Sequence, residues 1–163
     1  MAGKHTEGVS STAAIAGHPI HPMLVPFPIA FLVGAFASDI AFWSTMDDFW
    51  ARMALWLVGA RLVTGALAAA VGLTDFLTIH RAREQREGWI HFLGNALVLL
   101  LAFANLFLRL DDPAAGVLPS GIILSGVTSA LLVITGWYGG ELAYRHKIGV
   151  IEHDRDLDLT GRG

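Results

Sequence analysis

The chain has 163 residues, 54% hydrophobic and only 15% charged; soluble domains carry roughly 25% charged residues, so an ordinary water-soluble globule is excluded. Cysteine is absent, which removes disulfides, thiolate metal sites and covalent c-type haem attachment together. The net charge of −3 reflects acids in loops and tail, and the single basic loop, Arg81, Arg83 and Arg86, is too small a patch to support nucleic-acid binding.

Residues 1–16 are polar or small, show no cleavable signal-peptide pattern and are expected to form a disordered tail. Gly17-His18-Pro19-Ile20-His21-Pro22 follows. Each histidine precedes a proline, which disfavours the helical conformation before it, so both are expected on a stiff, extended lead-in segment. Such a segment either aims two imidazoles at a site or simply caps the first helix. Four apolar blocks come next, at about 26–46, 50–79, 89–110 and 117–142. Each is long enough as a helix to cross a hydrocarbon core of about 30 Å. They predict one all-α domain over 17–151, an integral membrane four-helix bundle, followed by a disordered tail over 152–163.

Lys4, the three arginines between spans two and three, Arg145 and Lys147 all fall on one side. The opposite loops carry Asp47, Asp48, Asp111 and Asp112, with Arg52 and Arg109 nearby. The positive-inside rule puts both termini of this multi-pass chain in the cytoplasm. Trp43, Trp50 and Trp89 near span ends suit an aromatic belt.

Polar residues inside a membrane face the bundle interior. Span two places Arg61, Gly65, Ala68, Gly72 and Asp75 on one stripe, and span three does the same with His91, Asn95, Val98, Ala102 and Asn105. Small residues on these stripes read first as ordinary helix packing. Asp39 and Arg61 come out at similar depth, and an ion pair is the natural way to keep either charged; it reads as structural rather than as a proton or anion path. At the other end, His18, His21, His80, His91 and His146 converge with Asp75 and Glu141. Of these His80 is the weakest, lying among charged residues in solvent. His5 and His153 fall on the tails. Asp75, level with His91, is expected to accept its second ring N–H.

The segments GHPIHPMLVPFPIAFLVGAFASDIAFW, GLTDF, HFLGNAL and GGELAYRHKIGV resemble the domain-of-unknown-function 2231 family of small bacterial membrane proteins. The resemblance runs from about residue 17 to 151. It implies four membrane helices, no assigned activity, and an association with Rieske iron–sulfur and c-type cytochrome modules as redox partners. Its pattern falls on His18, His21, Asp39, Asp75, His91, Asn95 and Gly139–Gly140. Lys147 stands where a glycine is expected, which weakens the place of His146 in the pattern.

Three functions compete. The first is a b-type cytochrome-like electron-transfer protein in which haem b sits between helices. His91 would be one axial ligand and His21 its partner, and Arg61 or the basic loop would supply the cation for the propionates. His18, His146, Asp75 and Asn95 complete the candidate set. The second is a bare zinc, copper or iron site of three or four histidines with Asp75 or Glu141, an enzyme if a coordination position stays open. The third is a cofactor-free scaffold or partner subunit. A transporter has less support, since four spans leave little room for alternating access, and a homo-oligomer in the bilayer is left open.

Overall fold

In the computed structural model, residues 8–150 are described; the expected tail over 152–163, His5 and His153 lie outside them. Four helical stretches are long and apolar enough to cross a membrane: Ile20–Thr45, Asp48–Thr78, Arg86–Phe107 and Pro113–Arg145. They form an antiparallel four-helix bundle. The first stretch comprises a single turn, α1 (Ile20–Leu24), leading directly into α2 (Pro26–Thr45). Met46, in the left-handed conformation, ends α2 by returning its N–H to Phe42. Asp47 starts α3 (Asp48–Thr78) by accepting from the Phe49 N–H at 2.9 Å, a side-chain cap of an otherwise orphaned donor.

The short α4 (His80–Glu84) turns the chain into α5 (Arg86–Phe107). Asp112 caps α6 (Pro113–Gly116) through the Ala114 and Ala115 N–H groups. A kink follows at Leu118, whose backbone is extended (φ −110°, ψ 132°) before a cis bond to Pro119; the chain then enters α7 (Ile122–Gly140), which a wide helical turn, Glu141–Arg145, closes. In the bundle α2 packs on α3 and α7, and α5 packs on the same two helices.

The polarity of the bundle is inverted relative to a soluble protein. Trp56, Leu100, Val133 and Trp137 are among the most exposed side chains, whereas Asp39, Arg61, Asn105, Arg109, Ser125 and Thr128 are buried. Lipid solvates the apolar exterior and cannot solvate the polar groups, which turn inward. Close approach of helices is left to small residues such as Ala35, Ala51, Ala54 and Ala68.

The two helical hairpins repeat one another. Asp39 and Arg109 stand 70 positions apart in sequence, and the same shift carries buried Pro28, Leu32 and Ala35 of α2 onto buried Val98, Ala102 and Asn105 of α5. His21 falls on His91. Likewise the α3 positions Ala54, Val58, Arg61 and Ala68 match Gly121, Ser125, Thr128 and Thr135 in the second hairpin. The bundle is therefore a pseudo-twofold assembly whose axis runs along the helices. Its diagonal partners, one from each hairpin, meet at the centre.

Residues 8–16, expected to belong to a disordered tail, are instead placed against the bundle. Val9 bridges to Ile148, and β1 (Ala14–Ile15) pairs antiparallel with β2 (His18–Pro19). The expected lead-in also differs in part. His18 is extended, but His21 is helical despite preceding Pro22. Pro22 lies in the first turn of the helix, where its missing N–H costs no intrahelical bond.

Candidate cofactor site

Two layers of polar residues cross the bundle diagonally, one near each end. Near the end that carries the loops after α2 and α5, Arg109 donates from Nη1 and Nη2 to the two Asp39 carboxylate oxygens at 2.7 and 2.8 Å. Both side chains are 0% exposed. Arg109 Nε donates to Asn105 Oδ1 at 2.9 Å, and Asn105 Nδ2 donates to Ser125 Oγ at 2.9 Å. A bidentate, fully hydrogen-bonded pair is the arrangement that makes a buried ion pair tolerable.

This corrects the expected Asp39–Arg61 pair. Asp39 lies about 9 Å before the end of α2, whereas Arg61 is about 20 Å into α3, a mismatch in depth of about 10 Å. Arg109 closes the gap by reaching inward from just beyond the end of α5. The signal that could have found it is the interior stripe of span three, expected to end at Asn105: 98, 102 and 105 continue at 109 with helical spacing.

Near the end that carries the chain termini, His21 from α1 and His91 from α5 face one another. Their ring centroids are 6.2 Å apart and their planes cross at 84°. His21 Nδ1 lies 2.8 Å from the Ala68 carbonyl oxygen, and His91 Nδ1 lies 2.9 Å from that of Thr135. A carbonyl can only accept, so each ring carries its proton on Nδ1 and each Nε2 holds a lone pair. Among the described residues no hydrogen-bond donor reaches either Nε2.

The two settings are equivalent. A Cβ at Gly72 would stand 2.7 Å from Cε1 and 2.8 Å from Nδ1 of His21; at Gly139 the distances to the same atoms of His91 are 2.8 and 2.9 Å. Each ring thus lies against a helix backbone, one turn beyond the carbonyl that orients it, and only glycine leaves it room. Each imidazole is locked by the helix beside it, α3 for His21 and α7 for His91.

The other expected site residues separate from this pair. Asn95 stays beside it, with Nδ2 donating to the His91 carbonyl at 2.8 Å. His18 is exposed and turns to the Ala16 carbonyl at 2.9 Å. His80 lies 3.1 Å from Glu84 at the surface, and His146 lies 3.7 Å from Glu87. Glu141 pairs with Arg145 at 2.9 Å.

Asp75 does not accept from His91. One of its oxygens accepts from Ser11 Oγ at 2.7 Å, and the other from the Thr12 N–H, the Thr12 hydroxyl and the Ala13 N–H at 2.9–3.0 Å. It anchors the segment before β1 to α3. Backbone carbonyls took the role given to Asp75, and they leave no mark in a sequence except through the glycine four positions on.

The bare-ion reading therefore loses its ligand set. Among the described residues no group of three or more His, Cys, Asp and Glu side chains is arranged to hold a metal ion. Two imidazoles remain, presented from opposite sides.

No curated protein and no solved structure matches the chain. The family model described as "Predicted membrane protein (DUF2231)" matches residues 17–152, a span that takes in the four membrane-spanning stretches, the histidine pair and the Asp39–Arg109 pair. The chain belongs to the DUF2231 family of predicted membrane proteins.

Proposed function

We propose that the protein is a membrane-embedded b-type cytochrome in which His21 and His91 would hold one haem. One observation carries the reading: two proton-oriented imidazoles from opposite hairpins, 6.2 Å apart, with both Nε2 lone pairs free. Metal–nitrogen bonds of about 2 Å on either side of one ion, plus half a ring at each end, span about 6 Å between centroids. A bare divalent ion needs four to six ligands from the protein or water. A haem iron brings four nitrogens with it and asks the protein for two.

The surroundings support the reading. Orientation of a ligand imidazole through its second nitrogen is the usual way a protein fixes such a ring. Gly72 on α3 and Gly139 on α7 leave room for the two ligand rings against the helix backbones. The bound group would supply one-electron transfer. The protein's own part is to hold the two nitrogens, to exclude water with an apolar shell, and to set the charge nearby.

Charge asymmetry supports a cytoplasmic position for both termini, and hence for the histidine layer, and the family resemblance supports a bacterial inner membrane. The Asp39–Arg109 layer, offset by eighteen residues on either hairpin, lies about 27 Å toward the other side. The Rieske or c-type cytochrome partners that the resemblance implies must deliver or accept electrons across that distance or through an intermediary.

The test is the absorption spectrum of the detergent-solubilised protein from haem-replete cells. A Soret band is expected, lost in His21→Ala and in His91→Ala and kept in His18→Ala, His80→Ala and His146→Ala. A colourless preparation that takes up no added haem refutes the reading and leaves the cofactor-free scaffold.

A further inference from the structure

Arg61 is 3% exposed, yet its Nε and Nη1 have no hydrogen-bond partner. Among the described residues no carboxylate pairs with it, because Asp39, the only buried acid, is held by both terminal nitrogens of Arg109. A second orphan, the Ser129 hydroxyl, is buried without a partner. It sits on α7 about 9 Å before Thr135, and Arg61 sits on α3 about 10 Å before Ala68, so both belong to one layer adjoining the histidines. Elsewhere the bundle satisfies its buried polar groups carefully. Two unmet donor groups in the same layer point to an acceptor that the chain does not provide.

The Arg61 side chain turns toward the histidine layer. A Cβ at Gly65 would collide with Arg61 Nη1 and stand 3.2 Å from Leu99 Cδ2 of α5, so the guanidinium lies over Gly65. That is three residues, or about 4.5 Å along the helix, from the carbonyl that orients His21. Gly65 matters here because any side chain would evict the cation.

We propose that Arg61 and Ser129 bind a carboxylate, and that it belongs to the ligand held between His21 and His91. The second clause rests on the haem reading; the first does not. One negative charge balances the buried Arg61 cation, which has no counter-charge among the described residues, and a planar guanidinium matches the two oxygens of a carboxylate. A phosphate dianion would leave a net buried charge. The remaining wall, Leu99 and the neighbouring aliphatic side chains, suits the body of an apolar ligand that ends in a carboxylate, as a haem ends in propionates. Free carboxylate ions offer the same chemistry, and the experiment separates the two sources.

Wild type and Arg61→Met are each reconstituted with haem and with its dimethyl ester, in which the carboxylates are blocked. Wild type should bind haem at least tenfold more tightly than the ester. Arg61→Met should lose that preference and show a lower midpoint potential, since removing a nearby cation disfavours the added electron. Arg61→Lys should recover part of both. In parallel, haem-free protein is melted over a series of acetate concentrations. Saturable stabilisation that Arg61→Met and Ser129→Ala weaken assigns the site to a free carboxylate. That outcome with no haem uptake overturns the haem reading and keeps the site. Haem uptake with no preference over the ester and no acetate effect overturns the carboxylate site and keeps the haem.

Discussion

Breaking the Asp39–Arg109 pair one side at a time should be severe. Each side chain is 0% exposed, so Asp39→Asn leaves a guanidinium, and Arg109→Met a carboxylate, with no counter-charge and no water. Removing one partner of such a pair costs about 3–5 kcal/mol. The double replacement strands no charge and should return most of that loss. The charge-reversed pair, Asp39→Arg with Arg109→Asp, is a sharper probe, because the pseudo-twofold brings the two positions into register, 39 within α2 and 109 just beyond the end of α5. Their neighbours differ. Asn105 and Ser125 serve Arg109, and the matching positions in the first hairpin are Ala35 and Val58. The reversed pair should therefore restore the Coulombic attraction while losing the hydrogen bond from the guanidinium to Asn105, worth about 1.5–3 kcal/mol. Its stability should fall between wild type and the single variants. The assay is reversible unfolding in mixed micelles, followed by circular dichroism. If the double neutral variant is as unstable as the two single losses added together, the two residues do not interact and the reasoning fails.

Gly72→Ala and Gly139→Ala should each displace one imidazole and lower haem occupancy, measured as Soret absorbance per protein; a change in only one of them would contradict the equivalence of the two histidine settings. Asp75→Ala should release the segment before β1, seen as faster hydrogen exchange at Thr12 and Ala13, while leaving the Soret band in place; loss of the band would restore Asp75 to the site. A phosphatase or fluorescent reporter fused at residue 163 should report a cytoplasmic C-terminus, and activity confined to the periplasm would invert the orientation. Thr135→Ala should keep the haem spectrum, because His91 uses the main-chain carbonyl of that residue and not its hydroxyl.

Four membrane helices, the membership of His91, Arg61 and Asn105 in the interior, and the separation of polar from lipid-facing positions were all legible in the chain, whereas His21 was expected on an extended lead-in and is helical. These follow from helical periodicity and from the cost of a polar group in hydrocarbon, and both act residue by residue. Partner choice was not legible in the same way. Histidine count alone brought five imidazoles to one end, and only two met there, because His18, His80 and His146 found a carbonyl or carboxylate within their own neighbourhoods first. Asp75 could be assigned to the interior stripe of α3, but its role depended on Ser11, Thr12 and Ala13 folding back from a segment whose composition carries no periodic signal.

Asp39 illustrates the division most sharply. Its burial and its need for a cation were set by its place in a long apolar run. Whether Arg61 or Arg109 answered that need was decided by how far two helices slide past one another, a displacement of about 10 Å that no single span encodes. Tertiary packing settled it by closing the second hairpin on the first with matching registers, so that position 39 meets position 109 and position 21 meets position 91. A sequence determines which groups cannot face lipid. Which of them face each other depends on the relative depth and rotation of helices, and those are fixed only when all four interiors pack at once.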